Sequence, residues 1–397
     1  MNNLQEYIRQ HAMRTPDKPA FVVGDQRVSY KQLAQALSAG RGDKQGSALP
    51  GLPGTLPIHR LFGDITLSTT GTTGKPKQVV YTSQMVLANA ENLVEAQGFT
   101  ADTTFVICGP LNHLGSLSKV WPVMLVGGTV VLLDGLKDMN AFFRAMHTAP
   151  HGMATFLVPT AIHQLLQWGS GKLAELASAI AFIETGAAPM PHDDMLRLCQ
   201  LLPHTRLYNT YASTETGIVC TYNYNDGQYL AGCVGRPTRH AQVKITGDGH
   251  IACRGPMAMS GYRDDEAATA RTMQDGWVVT ADLGTLDEEG RLHFKAREGD
   301  IINIGGFKID PLKVEEAARQ ISGVDDCVCV EADSPLFGPC LELQYVSTSG
   351  QPLAKPLLAR SLAARLEPYE VPRLYEHVEQ LATTFNGKKL RTRSTSK

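Results

Sequence analysis

No uninterrupted apolar stretch in this sequence approaches the roughly 20 residues that a membrane-spanning helix needs. The opening residues, MNNLQEYIRQHAMRTPDK, have neither the basic head nor the apolar middle of a secretory signal. Neither sign of charge dominates: 37 Lys and Arg stand against 39 Asp and Glu, a net charge of −2. That balance gives no global attraction to nucleic acid or to an anionic membrane, so an anionic substrate must be met by local charge. The eight cysteines, at 108, 199, 220, 233, 253, 327, 329 and 340, form no CxxC. Their scatter excludes a disulfide framework and a zinc site, and predicts buried neutral thiols in a reducing cytoplasm. No internal repeat is visible.

The sequence is globular in composition, with 43% hydrophobic and 19% charged residues. At roughly 150 residues per domain, 397 residues make two to three domains. Residues 1–40 read as a helix over 4–12, a strand over Ala20–Val23, a turn at Gly24-Asp25 and a helix from Tyr30. Ala39–Pro57, rich in Gly, Ser and Pro, reads as a loop. From Asp64 short apolar runs alternate with helical patterns. Strands are expected at Thr104–Cys108, Thr129–Leu133, Ala154–Val158, Ile180–Glu184 and Arg206–Thr210. The helices between them are expected at Leu114–Val126, Met139–His147, Ala161–Trp168 and Met190–Leu202. Apolar strands separated in this way predict an α/β class, with a mainly parallel sheet covered on both faces.

After Gly217 the helices are expected to stop. Hairpin signals at Val243–Arg254 and Thr285–Lys295 point to a β-rich subdomain. From about Glu298 a helix (Pro311–Ile321), two strands (Asp326–Ala332, Leu341–Ser347), a helix (Leu353–Leu366) and a strand (Tyr375–Val378) form a small α+β unit. The expected division is 1–297 for the large N-terminal domain and 298–397 for the small C-terminal one. The tail beyond Arg391 is basic and reads as a solvated terminus.

Five segments carry chemistry. In Leu67–Lys77 (LSTTGTTGKPK), two glycines let backbone N–H groups approach an anion, five hydroxyls add donors and two lysines add charge, which suits a polyphosphate. The segment is not a Walker A loop: Thr69 stands where that pattern needs Gly, and Pro76 follows Lys75. Taken alone, such a stretch is more often a plain loop. In Tyr208–Gly217 a strand ends in Thr214 and Glu215, placed to meet a ligand, with Glu215 a hard oxygen ligand for Mg²⁺; the alternative is a helix N-terminus capped by Ser213 or Thr214. Asp282 sits between two β stretches and could accept both ribose hydroxyls, or be a turn acid. Arg297–Ile309 lies on the domain boundary, and Phe385–Lys388 reads as a tight turn presenting a lysine.

In this order the segments resemble the adenylate-forming superfamily of acyl- and aryl-CoA synthetases, peptide-synthetase adenylation domains and luciferases. Leu67–Lys77 is similar to its Ser-Thr-Ser-Gly-Thr-Thr-Gly-Lys-Pro-Lys, Thr210–Glu215 to Tyr-Gly-x-Thr-Glu, and Thr280–Leu283 to Thr-Gly-Asp-Leu. Arg297–Pro311 resembles the hinge run, and Thr384–Lys388 resembles Thr-x-Asn-Gly-Lys. Gly186-Ala187-Ala188-Pro189, Val234–Pro237 and Gly261-Tyr262 are weaker matches, and the whole covers about residues 64–391.

The resemblance implies two half-reactions: a carboxylate attacks the α-phosphate of Mg-ATP, and a thiol of CoA or of a carrier-protein phosphopantetheine then displaces AMP. It implies that Ser68, Thr69, Gly71, Thr72, Thr73, Gly74 and Lys75 hold the β- and γ-phosphates. Thr214 would bond the α-phosphate, Glu215 would bind Mg²⁺, Ala188 and Tyr211 would flank adenine, and Asp282 and Arg297 would hold the ribose. Lys388 would bridge the carboxylate and the α-phosphate, on a small domain that swivels at the position of Gly299 and then brings Gly306 to the thiol channel. His113, Gly186 and Ala212 would line the acid's pocket.

Three features depart from the pattern. Ala212 and Ala281 replace glycines, Gly299 stands where the hinge usually has Asp or Lys, and only about two dozen residues join Tyr30–Leu37 to the phosphate loop. The region before residue 64 is thus shortened, baring surface that a partner subunit in a homodimer would cover. Pro110–Gly115 resembles the Pro-Leu-Phe-His-x-x-Gly of acyl- and aryl-CoA synthetases, and no acid lies between 109 and 118 to meet a substrate amine. An acyl or aryl acid is therefore expected over an α-amino acid. The competing reading is a catalytically degenerate nucleotide- and acyl-binding module.

Overall fold

The computed structural model describes residues 3–39, 61–63, 65–69, 77–136, 138–384 and 388–391. The chain divides into two compact units: Met1–Thr280 with Gly284–Phe294, and Ala281–Leu283 with Lys295–Lys397.

The first unit opens with α1 (Leu4–Arg14), where Asn3 accepts from Glu6 N at 3.1 Å and donates back to the Glu6 carboxylate at 3.3 Å. This reciprocal cap satisfies donors that the first turn leaves open. β1 (Pro19–Val23) and β2 (Gln26–Ser29) pair across the two-residue turn Gly24-Asp25 and lead into α2 (Tyr30–Ala39). The expected loop at Ala39–Pro57 lies almost wholly outside the described residues. β3 (Ile65–Ser68) and β4 (Gln78–Tyr81) form an antiparallel pair. α3 (Ser83–Gln97) follows, capped by Thr82. The expected alternation then runs through β5 (Thr104–Ile107), α4 (Leu114–Val126), β6 (Thr129–Leu132), α5 (Met139–Met146) and β7 (Met153–Phe156). It continues through α6 (Pro159–Trp168), α7 (Ser170–Glu175), β8 (Ile180–Gly186), α8 (His192–Leu201) and β9 (Arg206–Ser213).

The rest of this part of the chain is mostly β: β10 (Gly217–Asn223), β11 (Cys233–Pro237), β12 (Gln242–Ile245), β13 (His250–Arg254), α9 (Glu266–Thr272), β14 (Met273–Gln274), β15 (Trp277–Leu286) and β16 (Leu292–Arg297). The helix α9 corrects the expectation that helices stop at Gly217. It is a short element of two turns, started by Asp265, whose carboxylate accepts from Ala268 N.

One sheet of fourteen strands runs β12-β13-β15-β16-β11-β10-β9-β8-β7-β5-β6-β1-β2, with β14 on β15. From β9 to β1 the neighbours are parallel; β9–β10 and β1–β2 are antiparallel. Successive residues of β5 and β8 face opposite sides of the sheet. Phe105, Ile107 and Phe182 join one apolar cluster with Leu4, Leu93 and Trp121, whereas Val106 and Ile183 join the other with Phe142, Leu165 and Leu198. Both faces are therefore covered, which is why these strands read as unbroken apolar runs.

In the second unit β17 (Ile302–Ile304) and β18 (Phe307–Ile309) make a hairpin, followed by α10 (Pro311–Arg319), β19 (Val324–Ser334), β20 (Gly338–Ser347), α11 (Lys355–Ala363) and β21 (Leu374–His377). β19-β20-β21 form a three-stranded sheet, antiparallel then parallel. Its helix-facing side packs Cys327, Cys329, Leu341 and Leu343 on Val314, Leu358 and Leu362. All eight cysteines are buried and unbridged, and burial pushes the Cys108 and Cys327 thiols up to about 12.

Phe182 packs edge-on against Phe99 and Tyr208, with ring centroids at 4.9 and 5.8 Å. Phe182→Ala is expected to cost about 3–5 kcal/mol in denaturant unfolding, through lost transfer energy and a cavity that the sheet cannot close. A loss below 1 kcal/mol on this scale would contradict the packing.

Candidate active site

The stems of the hydroxyl- and glycine-rich loop are fixed by the β3–β4 pairing. Ser68 lies opposite Gln78, Thr69 N donates to Lys77 O at 2.8 Å, and Lys77 N donates to Thr69 Oγ1 at 3.3 Å. Ser68 is exposed and Thr69 buried. Gly71, Thr72, Thr73, Gly74 and Lys75 lie outside the described residues.

Thr214 and Glu215 occupy the turn between β9 and β10. Ser213 Oγ accepts from the backbone N–H groups of Glu215 and Thr216, at 3.2 and 3.1 Å, and Thr216 Oγ1 accepts from Ser213 N at 3.0 Å. Ser213 thus closes a hairpin, and the alternative of a helix N-terminus here is corrected. The antiparallel return of β10 satisfies the backbone donors that a helix would have left open. Two tyrosines hold the turn. Tyr81 OH donates to Thr214 O and Tyr262 OH to Glu215 Oε1, both at 2.9 Å, while Met259 N donates to Glu215 O at 2.8 Å. Burial, and then the Glu215 charge, raise the pKa of both phenols, so each stays a donor.

Tyr262 also links this turn to the loop stem. It bridges Val79 on β4, and Lys77 Nζ lies 4.8 Å above its ring. The sequence marks Tyr262 only through a weak Gly-Tyr match and Lys77 only as one of the two charges of the loop, and it marks Tyr81 in no way. The signal for Tyr262 was that match; for Tyr81 there was none.

The carboxyl ends of the parallel strands supply the second wall. Gly186 closes β8, where an added methyl would come within 2.8 Å of Thr210 O and 3.7 Å of the Phe156 ring. Ala187 follows in the left-handed region at φ 67°, a conformation that costs a non-glycine residue about 1–2 kcal/mol. Ala188 is half-buried. His113, half-buried, is the N-cap residue of α4, and Phe156 also faces Gly115 on that helix. β9 sends its neighbours to opposite faces: Ala212 packs with the first apolar cluster, whereas Tyr211 is buried with Val219 and Ile251, its hydroxyl 3.4 Å from Thr280 Oγ1.

An ion pair between residues far apart in the chain ties this wall together. Lys119 on α4 donates to Glu184 Oε1 on β8 at 2.6 Å, with 2% and 0% of their side chains exposed, and the ammonium stands 5.0 Å from the Phe156 ring. Burial lowers the Lys119 pKa, and Glu184 opposes that shift.

In the second unit, Asp282 lies inside the continuous strand β15, a correction to its expected place between two β stretches. Its Oδ1 is 3.8 Å from Arg297 Nε, a buried atom with no hydrogen-bond partner among the described residues. Gly299 sits in a single 3₁₀ turn, Glu298–Asp300. Gly305 and Gly306 form the two-residue turn of the β17–β18 hairpin at φ 60° and 87°, a pair of positive angles that glycine allows without strain. Lys388 is held by its backbone: Thr384 N donates to Lys388 O at 2.6 Å and Lys388 N donates to Thr384 Oγ1 at 3.1 Å. Asp282, Arg297 and Lys388 act on one another electrostatically. Burial first, and Arg297 next, lower the Lys388 pKa, while Asp282 and Asp300 raise it.

Among the described residues no cluster of three or more His, Cys, Asp or Glu could cage a metal. A Mg²⁺ carried by a polyphosphate needs only one or two carboxylates, and Glu215 is a carboxylate that could serve as one. No helix among the described residues is long and apolar enough to cross a membrane.

Residues 67–263 match the family described as AMP-binding enzyme. Indoleacetate–CoA ligase of Aromatoleum aromaticum is 29% identical over 375 residues, covering 91% of this chain and 70% of that protein. Feruloyl-CoA synthase of an Amycolatopsis species is 28% identical over 383 residues, covering 91% of this chain and 76% of that one. Among solved structures, the amide bond synthetase McbA of Marinactinospora thermotolerans superposes with a TM-score of 0.72 at 27% identity, over 82% of this chain and 67% of that one. The o-succinylbenzoate CoA synthetase of Bacillus subtilis, bound to its acyl-adenylate intermediate, gives 0.78 at 22% identity over 97% and 96%, a likeness of fold. The ATP-bound RpMatB–BxBclM chimera gives 0.74, with this chain spanning 66% of its length.

Lys119→Met is expected to cost about 3–5 kcal/mol of stability, because it strands the Glu184 charge in the interior. The double variant Lys119→Met/Glu184→Leu is expected to recover most of that loss in denaturant unfolding. Equal instability of the single and double variants would refute the pairing.

Proposed function

The chain belongs to the adenylate-forming superfamily of AMP-binding enzymes and is an acid–thiol ligase of the AMP-forming kind; within that class, we propose that it activates an aromatic carboxylic acid and passes it to coenzyme A. The observation that carries the site reading is the Glu215 carboxylate, held by Tyr262 at the carboxyl end of β9 and linked through Tyr262 to the stem of the phosphate loop. Named relatives act on indoleacetate, ferulate and 2-succinylbenzoate, all aromatic acids. The Phe156 ring lies beside Gly115 and Gly186, two positions that carry no side chain and leave room for a planar acid.

A carboxylate oxygen of the acid attacks the α-phosphorus of ATP, the bond to the bridging oxygen breaks, and pyrophosphate leaves. The thiol sulfur then attacks the acyl carbon, AMP leaves with the carboxylate oxygen, and the thiol proton passes to solvent. The difficulty is to join two anions and stabilise the charge that builds at phosphorus, which fixed dipoles and cations do best. Ser68, Thr69, Gly71, Thr72, Thr73, Gly74 and Lys75 hold the β- and γ-phosphates and Thr214 the α-phosphate. Ala188 and Tyr211 flank adenine, and Asp282 and Arg297 grip the ribose. Lys388 bridges carboxylate and phosphate. Glu215 would hold a Mg²⁺, whose positive charge neutralises phosphate oxygens. The first unit is read as the body and the second as a lid that swivels near Gly299, taking Lys388 away and bringing Gly306 to the thiol.

ATP–pyrophosphate exchange with a panel of carboxylic acids tests this reading. Aryl acids are expected to support exchange and α-amino acids not to; no exchange with any acid would favour a degenerate binding module. Loading assays with coenzyme A and with a carrier-protein pantetheine separate the two acceptors. Lys388→Ala is expected to slow adenylation about 10²–10³-fold, the effect of losing one preorganised charge.

The lowered pKa of Lys388 adds a pH dependence. Burial favours the neutral amine, so the useful ammonium is lost on the alkaline side earlier than from a free lysine at about 10.4. The alkaline limb of the adenylation rate is expected below that pH and absent from the residual activity of Lys388→Arg. The same limb in the arginine variant would assign it to another group.

A further inference from the structure

Around residues 385–387, which lie outside the described set, two short segments pair: Thr383 bridges Lys389, and Leu390 N donates to Ala382 O at 2.9 Å. Side chains of an extended segment alternate, so Lys389 and Arg391 share one side and Lys388 takes the other. The shared side turns into the second unit. Lys389 Nζ donates to Asp326 Oδ1 and, at 2.9 Å, to Cys327 O. Arg391 donates to Glu315 Oε1 at 2.7 Å. Arg319 lies between the two acids, with Nε donating to Asp326 Oδ1 at 3.3 Å and a second nitrogen 3.7 Å from Glu315 Oε2.

Glu315 is 1% exposed and also accepts from Cys329 N at 2.9 Å, so α10 and β19 fix this carboxylate independently of the C-terminal segment. The four other charges of the cluster expose between 12% and 20% of their side chains. Apolar packing of α10 on β19 already joins those two elements. What the carboxylates add is a grip on the residues one and three places after Lys388.

Resting on the reading of Lys388 as the adenylating lysine, we propose that Glu315 and Asp326 are positioning residues, which aim Lys388 by clamping Arg391 and Lys389 on the opposite side of the same segment. The clamp fixes the segment's rotation about its own axis. Without it, the backbone bonds between Thr384 and Lys388 would remain, but the direction of the Lys388 side chain would be free to drift.

The test separates the two half-reactions. Asp326→Asn, Glu315→Gln and Lys389→Met are assayed for pyrophosphate exchange, and separately for thioester formation from supplied acyl-adenylate, which does not use Lys388. Exchange is expected to fall about a hundredfold, the order associated with misplacing a reacting group by 1 Å, while thioester formation stays near wild type. In a Lys388→Ala background Asp326→Asn is expected to cost nothing further, since both act through one group. Melting curves identify variants that are unfolded at the assay temperature; Lys389→Met, which leaves both carboxylates with Arg319, is the gentler variant if the buried ones fail. Unchanged exchange in folded clamp variants, parallel loss of both half-reactions, or additive loss in the Lys388→Ala background overturns the clamp. Normal exchange in Lys388→Ala alone overturns instead the reading on which it rests.

Discussion

The hairpin between β9 and β10 fixes the backbone of Thr214 and Glu215 where the parallel half of the sheet gives way to the antiparallel half. Ligands of open α/β sheets collect at the carboxyl ends of such strands, because the backbone and helix ends there leave donors unpaired. Here the acceptor side of the turn is held by Tyr81, Tyr262 and Met259, so the Glu215 carboxylate cannot wander. Tyr262, through Val79 and Lys77, carries the same constraint to the stem of the hydroxyl- and glycine-rich loop. The Lys119–Glu184 pair does the equivalent for the opposite wall, locking α4 to β8 beside Phe156.

The second unit handles charge differently. Arg297 and Asp282 form a loose ion pair, 3.8 Å from Nε to Oδ1, and that Nε is buried with no hydrogen-bond partner among the described residues. The ions around Glu315 and Asp326 are paired, as ions removed from water must be, and only Arg391 Nε is left buried with no hydrogen-bond partner among their described nitrogens. Lys388 stands on the other side of that segment, its charged form weakened by burial.

Much of the fold was legible because the parallel strands are short apolar runs bounded by glycine, and α4 has the bounds that its pattern sets. α3 escaped notice because Asn89, Asn92 and Gln97 are buried amides bonded across to Met257, Ile218 and Thr210, and they blur its apolar period. α9 escaped because seven residues leave too little period to read. The motifs marked Glu215, Asp282 and Lys388 as chemical, but not what holds them. Tyr262 is 47 residues from Glu215, Glu184 is 65 from Lys119, and Glu315 is 76 from Arg391. Pairings over such distances are set by topology, not by local pattern.

The chemistry begins with a carboxylate oxygen attacking the α-phosphorus of ATP. Turnover of an aryl acid labelled with ¹⁸O in its carboxylate tests this most directly, by mass spectrometry of the nucleotide and phosphate products. The prediction is AMP carrying one ¹⁸O on its phosphate, with unlabelled pyrophosphate. Unlabelled AMP, or ADP together with ¹⁸O in orthophosphate, would contradict it.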